Sequence, residues 1–234
     1  MVGWRRGRSA GVVLAAAGVA GMAGCTGGGH PAATVSASAA VASGFSAAQL
    51  RAALLTRVNG VAAAMSASSG RYAALPAAST DRQTTGSVQV IPAACAKAAT
   101  KGFDLTALAA APAATVTFRV GGNAVSEVLV ASTAASGSAV IAARVPTECA
   151  RYEEKAAGKT LKYVLTEEAV TGIGQQARAL NTYPDGATSD NLWSLIYRGK
   201  GFIGTVTVVG PNASELAVRE LGEQAYAFAA KTLA

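Results

Sequence analysis

Few residues of this chain have the type and spacing to support chemistry, and Cys25 is the most telling of them. It closes the run Met22-Ala23-Gly24-Cys25. Small residues at positions 23 and 24 let a peptidase reach the backbone before the cysteine, whose thiol would then carry a thioether-linked diacylglycerol. Arg5, Arg6 and Arg8 precede an apolar stretch from Gly11 to Ala23, the charged, apolar, small order of a secretory signal. That stretch is shorter than the about 20 residues that cross a bilayer core. Met22 stands where leucine is more usual. The competing account is an ordinary cleaved signal with an incidental cysteine. Residues 1–24 are therefore read as a lipoprotein signal. Residues 25–44 are read as the lipidated cysteine and a flexible tether of Gly, Ala, Ser, Thr and Pro, and 45–234 as the folded domain. The expected place is the outer face of the cell membrane, held through an N-terminal lipid.

Cys95 and Cys149 remain as a pair. In an exported, oxidising setting the default is a disulfide between them. It closes a loop of roughly 55 residues, for which the chain-entropy model gives roughly 4 kcal/mol. Two buried free thiols are the other account. The single histidine, His30, lies in the tether, so Ser-His-Asp, Cys-His and His-containing zinc sites have no histidine to use. No catalytic residue, metal or cofactor is expected. Gly172-Ile173-Gly174-Gln175-Gln176-Ala177 mimics a dinucleotide fingerprint but lacks the βαβ setting, and reads better as a turn. Glu153-Glu154 and Glu167-Glu168 supply adjacent carboxylates of the kind glycoside hydrolysis uses. Neighbours on a strand face opposite ways, so both pairs are read as solvated charge.

Trp193, Tyr197 and Phe202 share the last hairpin and give the only hint of a ligand-binding surface; core packing is the alternative. Trp193 is expected to be structural. Tyr197, beside the turn Arg198-Gly199-Lys200-Gly201, is the surface candidate, because a phenol favours a wet edge.

The elements that must position these residues follow from the patterning. The chain of 234 residues carries a net charge of +7, and removing the three signal arginines leaves 17 basic against 13 acidic residues, or +4. No Lys/Arg run is present, so nucleic acid is not an expected partner. Ser46-Ala47-Ala48-Gln49 is a capping box ahead of Leu50, Leu54 and Leu55. Asn59-Gly60 reads as a turn, Val88 to Ile91 as a short strand, and Pro92 as the start of a short helix carrying Cys95. Thr115 to Val120 alternates and turns at Gly121-Gly122-Asn123 into Val125 to Ala131. Ser136 to Cys149 is expected as a helix interrupted near Pro146, and Leu161 to Val170 as a strand. Leu192 to Arg198 and Phe202 to Val209 form a second hairpin. Asn212-Ala213-Ser214-Glu215 caps a last helix with Ala217, Leu221, Ala225, Phe228 and Ala229 on its apolar face. Strand pairs on short turns with helices at both ends predict an α+β domain, an antiparallel β-sheet flanked by helices.

In this order the elements resemble the mycobacterial lipoproteins related to the extracellular sensor domain of PknH-type Ser/Thr kinases. The matching pieces are Leu50-Arg51-Ala52-Ala53-Leu54-Leu55-Thr56, the segment at Cys95, the hairpin to Val130, the helix ending at Cys149, the Tyr197-Arg198-Gly199 turn and the closing helix. The Ala-rich composition is that of a high-GC genome, as in actinobacteria. The resemblance implies an antiparallel sheet with a cleft for a ligand. The sensor domain of the kinase uses two disulfides where this chain can form one, and no catalytic residue is carried over. The expected function is a non-enzymatic, lipid-anchored envelope protein that binds an unidentified ligand or envelope partner. The alternatives are a carrier holding a lipid or glycolipid in a hydrophobic cavity, and a carboxylate-based cell-wall hydrolase.

Overall fold

The computed structural model describes residues 44–76, 88–97, 99, 103–156, 158–186 and 191–234. Cys25, His30, the signal and the tether to residue 43 lie outside the described residues. Among the described residues, eleven strands and three α-helices follow in chain order. The first are α1 (Ala47–Ala52), β1 (Arg57–Val58), β2 (Val61–Ala62), β3 (Ser68–Arg71) and β4 (Gln89–Ile91). Then come β5 (Pro112–Val120), β6 (Asn123–Ala131), α2 (Ala134–Ala142), β7 (Arg151–Ala156), β8 (Lys159–Val170) and β9 (Gln176–Pro184). β10 (Asn191–Gly199), β11 (Phe202–Gly210) and α3 (Glu215–Thr232) complete the chain.

Nine strands form one antiparallel sheet in the order β3-β5-β6-β11-β10-β9-β8-β7-β4, while β1 and β2 make a small separate hairpin. The fold is therefore α+β, an antiparallel sheet flanked by helices. Local turn chemistry sets the register. Val120 pairs with Asn123 across Gly121 and Gly122, both at positive φ (57° and 84°), the two-residue turn that matches strand twist. Asn59 (φ 49°) and Gly60 (φ 79°) do the same for β1 and β2.

Period-2 alternation divides the sheet into two faces. On the first lie α1 and α3 over one large apolar cluster that includes Leu50, Phe118, Leu129, Leu195, Tyr197, Phe202 and Val218. α1 begins at a full capping box, with the Gln49 N–H donating to Ser46 Oγ and the Ser46 N–H donating to Gln49 Oε1. The second face carries two smaller clusters. One gathers Leu105, Leu108, Val140, Ile141, Ile196 and Ile203 beneath α2; the other surrounds Cys95 and Cys149 with Tyr152, Tyr163, Leu165 and Leu180. A disulfide joins Cys95 to Cys149 and ties the 3-10 turn Ala93–Cys95 to the 3-10 turn Thr147–Ala150.

Several expectations need correction. The helix toward Cys149 stops at Ala142: Ala143 is already extended (ψ 104°), and Pro146 disfavours helical backbone at Val145. On α3 the buried face is Val218, Leu221, Gly222, Ala225 and Ala229, so it is rotated from the expected stripe and Phe228 stays 37 % exposed. The Ala/Ser-rich stretch before Pro76 contains β3, and the charged run after Cys149 is β7.

Candidate functional site

The three aromatic residues singled out in the late hairpin share the first face, where they build core. Tyr197 has no exposed surface and Phe202 only 2 %; Trp193 is half-buried against the same cluster. Tyr197 meets Phe202 and Tyr226 edge-on, with ring centroids 6.4 Å and 5.7 Å apart. Its ring lies across β11 at Gly204, where a Cβ would come within 2.1 Å of Tyr197 Cζ. The surface role expected of Tyr197 is thus overturned. The physical reason is that Gly204 leaves a trough in the sheet which only a flat ring fills, and the phenol is carried inward with it.

Beside this ring sits a residue that the sequence did not single out. Glu127, on β6, pairs with Val206 of β11 and Val116 of β5, and alternation turns it into the first face. It is 1 % exposed. The Leu55 N–H, just past α1, donates to Glu127 Oε2 at 2.8 Å. Oε1 and the Tyr197 hydroxyl are both buried without a hydrogen-bond partner among the described residues. Burial pushes the Glu127 carboxyl up to about 8, against the single backbone hydrogen bond that favours the charged form. Burial, with a smaller contribution from Glu127, raises the Tyr197 phenol well above its usual range. The only sequence signal for Glu127 was a lone acid inside an apolar strand, Val-Ser-Glu-Val-Leu-Val.

The second face holds a different arrangement. Arg178, Leu180 and Thr182 alternate along β9 and stand opposite Ile196, Ser194 and Leu192 of β10. Thr205 and Thr207 of β11 extend the rows, and the Ser194 and Thr207 hydroxyls hydrogen-bond at 2.9 Å. Most of this strip is closed to solvent: Arg178 is 3 % exposed, Thr182 1 % and Ser194 0 %. It forms a polar seam between the two apolar clusters.

Arg178 anchors the seam. Its Nη1 pairs with Glu167 Oε1, and Glu167 Oε2 accepts the Val145 N–H at 3.2 Å. The Phe103 ring, which packs against both clusters, lies 5.0 Å from the guanidinium carbon. Burial lowers the Arg178 pKa; Glu167 opposes that shift and Arg144 adds to it. Arg178 Nε and Thr182 Oγ1 are buried with no hydrogen-bond partner among the described residues. Glu167 is therefore not solvated charge. Its neighbour Glu168 faces the other way, as alternation requires, and pairs with Arg219 of α3 at 3.4 Å. Glu154 is likewise 9 % exposed rather than solvated.

No family model matches this chain, and no curated protein sequence does. Among solved structures the chain is similar to the extracellular domain of PknH from Mycobacterium tuberculosis. The identity is 16 %, with 81 % of this chain and 96 % of that chain covered and a TM-score of 0.49. It is also similar to the Rv0999 ortholog from Mycobacterium smegmatis, at 17 % identity over 73 % of this chain and 86 % of that chain, with a TM-score of 0.45. The first is the domain type that the order of elements resembles in the sequence. At these identities no residue role passes from either protein to this chain.

Proposed function

We propose that this protein is a non-enzymatic, lipid-anchored cell-envelope protein that binds a ligand or partner through the second face of its sheet. The observation that carries the reading is the polar seam, where Arg178 Nε and Thr182 Oγ1 of one strand are buried without a hydrogen-bond partner among the described residues. Buried polar groups of native proteins are nearly always satisfied, by protein, ordered water or a bound molecule. A fixed guanidinium under an aromatic ring, with hydroxyls along the same face and apolar clusters on both sides, suits a molecule with a polar centre and apolar flanks that displaces the side chains closing the strip to solvent. The acids nearest this arrangement are engaged: Glu167 is bound to Arg178 and Val145, which favours binding over acid–base chemistry. Anchoring rests on Arg5 to Arg8, the apolar stretch and Cys25. No helix of the described residues is long and apolar enough to cross a membrane.

Native mass spectrometry of the domain purified from its own envelope tests the binding reading. A co-purifying small molecule is expected that is lost from a Thr182→Val variant with an unchanged melting temperature. A bare domain, or a molecule retained by that variant, overturns the assignment of the seam. Anchoring is tested separately: Cys25→Ala should leave the membrane fraction or stall with its signal attached, and unchanged processing and fractionation would refute it.

A further inference from the structure

Charge is segregated along this molecule. The chain has no Asp or Glu before Asp81, and none between Asp104 and Glu127. The structure gathers the described parts of those two stretches at one edge of the sheet. β3 pairs with the first half of β5, and the Ala64 N–H, just beyond the β1–β2 hairpin, donates to Thr117 O of β5 at 2.9 Å. α1 rests against β3 and β5. The only carboxyl of the neighbouring strand β6 is Glu127, which is buried and held neutral below about pH 8.

This edge exposes Arg51 from α1, Arg57 from β1 and Arg71 from β3, and Arg57 Nη1 donates to Gly60 O at 2.8 Å. None of the three makes an ion pair with a described carboxylate. Val61 of the hairpin and Met65 just beyond it add two apolar side chains to solvent, 41 % and 68 % exposed. The opposite edge differs. There Lys155, Lys159 and Lys162 are interleaved with Glu153 and Glu154, and Lys162 lies 3.9 Å from Glu153. A surface with cations, no anion among the described residues and protruding apolar groups is complementary to an anionic bilayer, where arginines meet phosphates and short apolar side chains enter the headgroup boundary.

We infer that the edge formed by α1, the β1–β2 hairpin, β3 and β5 docks on the headgroups of an anionic lipid surface. The contact is peripheral and needs no acyl anchor. It deepens the membrane reading of the proposed function, and it is tested without Cys25, so the two fail independently. The chain from Gly44 onward contains all three apolar clusters and the disulfide, and so carries its own core.

Co-sedimentation of this domain with phosphatidylcholine vesicles, with and without phosphatidylglycerol, is the experiment. Binding only to the vesicles containing phosphatidylglycerol is expected, and about 1 M salt should abolish it, since the screening length falls to about 3 Å. Each of Arg51→Gln, Arg57→Gln and Arg71→Gln should weaken binding by roughly fivefold. Met65→Ser should also weaken it at low salt, where the charges still hold the domain on the vesicle. Lys155→Gln with Lys159→Gln should leave it unchanged. Absence of binding, equal binding to both vesicle types, or loss of binding in the lysine variant instead of the arginine variants overturns the inference.

Discussion

The two faces of the sheet bury ionisable groups by opposite means. On the first, Glu127 has one backbone donor and no counter-charge, so the carboxyl takes its neutral form. On the second, Arg178 cannot give up its charge and is instead paired with Glu167 and capped by Phe103. The difference teaches that burial alone does not decide ionisation. A carboxyl can be neutralised by a proton, whereas a guanidinium has to be compensated by a partner. The first face is consequently one continuous apolar cluster, while the second is split into two with a polar seam between them.

The largest expected effect breaks the compensated side. Glu167→Gln leaves the Arg178 charge buried without its partner and should cost about 3–5 kcal/mol in urea unfolding. Glu167→Leu with Arg178→Met should restore most of it, because two apolar groups need no compensation. If the single and double variants are equally unstable, the pair is not the reason. Next comes the clamp on the same face: Cys149→Ala should lose about 2–5 kcal/mol, and non-reducing peptide mapping of the unmodified chain should recover Cys95 and Cys149 joined. Ready alkylation of both thiols in the native protein would contradict the bond.

The neutral side is sharpened by pH. The folded-state value of about 8 for Glu127 lies above its ordinary 4.5, so between these the folded protein keeps a proton that the unfolded chain has released. This group's contribution is complete below about pH 4.5 and is lost as pH rises through 8. Stability should fall by up to about 3 kcal/mol from pH 5 to pH 8 through this residue. Glu127→Gln should remove that slope, read as melting temperature against pH; an unchanged slope would assign the dependence elsewhere. The smallest effect is at the neighbouring phenol. Tyr197→Phe should move stability by no more than about 1 kcal/mol, because the hydroxyl has no partner to lose. Tyr197→Ala, which empties the trough over Gly204, should cost about 3–5 kcal/mol.

Local sequence determined the parts of this protein that depend on neighbours in the chain. Gly121-Gly122 permits the positive φ that a tight hairpin needs, Ser46 and Gln49 cap α1 reciprocally, and Gly199 to Gly201 returns β10 into β11. The cysteine count limited the bond to one partner choice within the folded part. β9 was not legible, because Gln-Ala-Arg-Ala-Leu-Asn-Thr has no clean alternation when both faces of a central strand are covered and an arginine takes a buried place. The solvated reading of Glu167 failed for the same reason: its partner is 11 residues away in sequence and adjacent only across β8 and β9. Tyr197 looked like a surface residue because it stands near an exposed turn, and only pairing with β11 brought Gly204 beneath its ring. Tertiary structure alone decided which side of each strand faces the helices, and therefore which acid is neutralised, which is paired and which arginines stand at the edge without a described carboxylate partner. Those outcomes depend on register between strands far apart in the chain, and a one-residue slip would exchange the two faces.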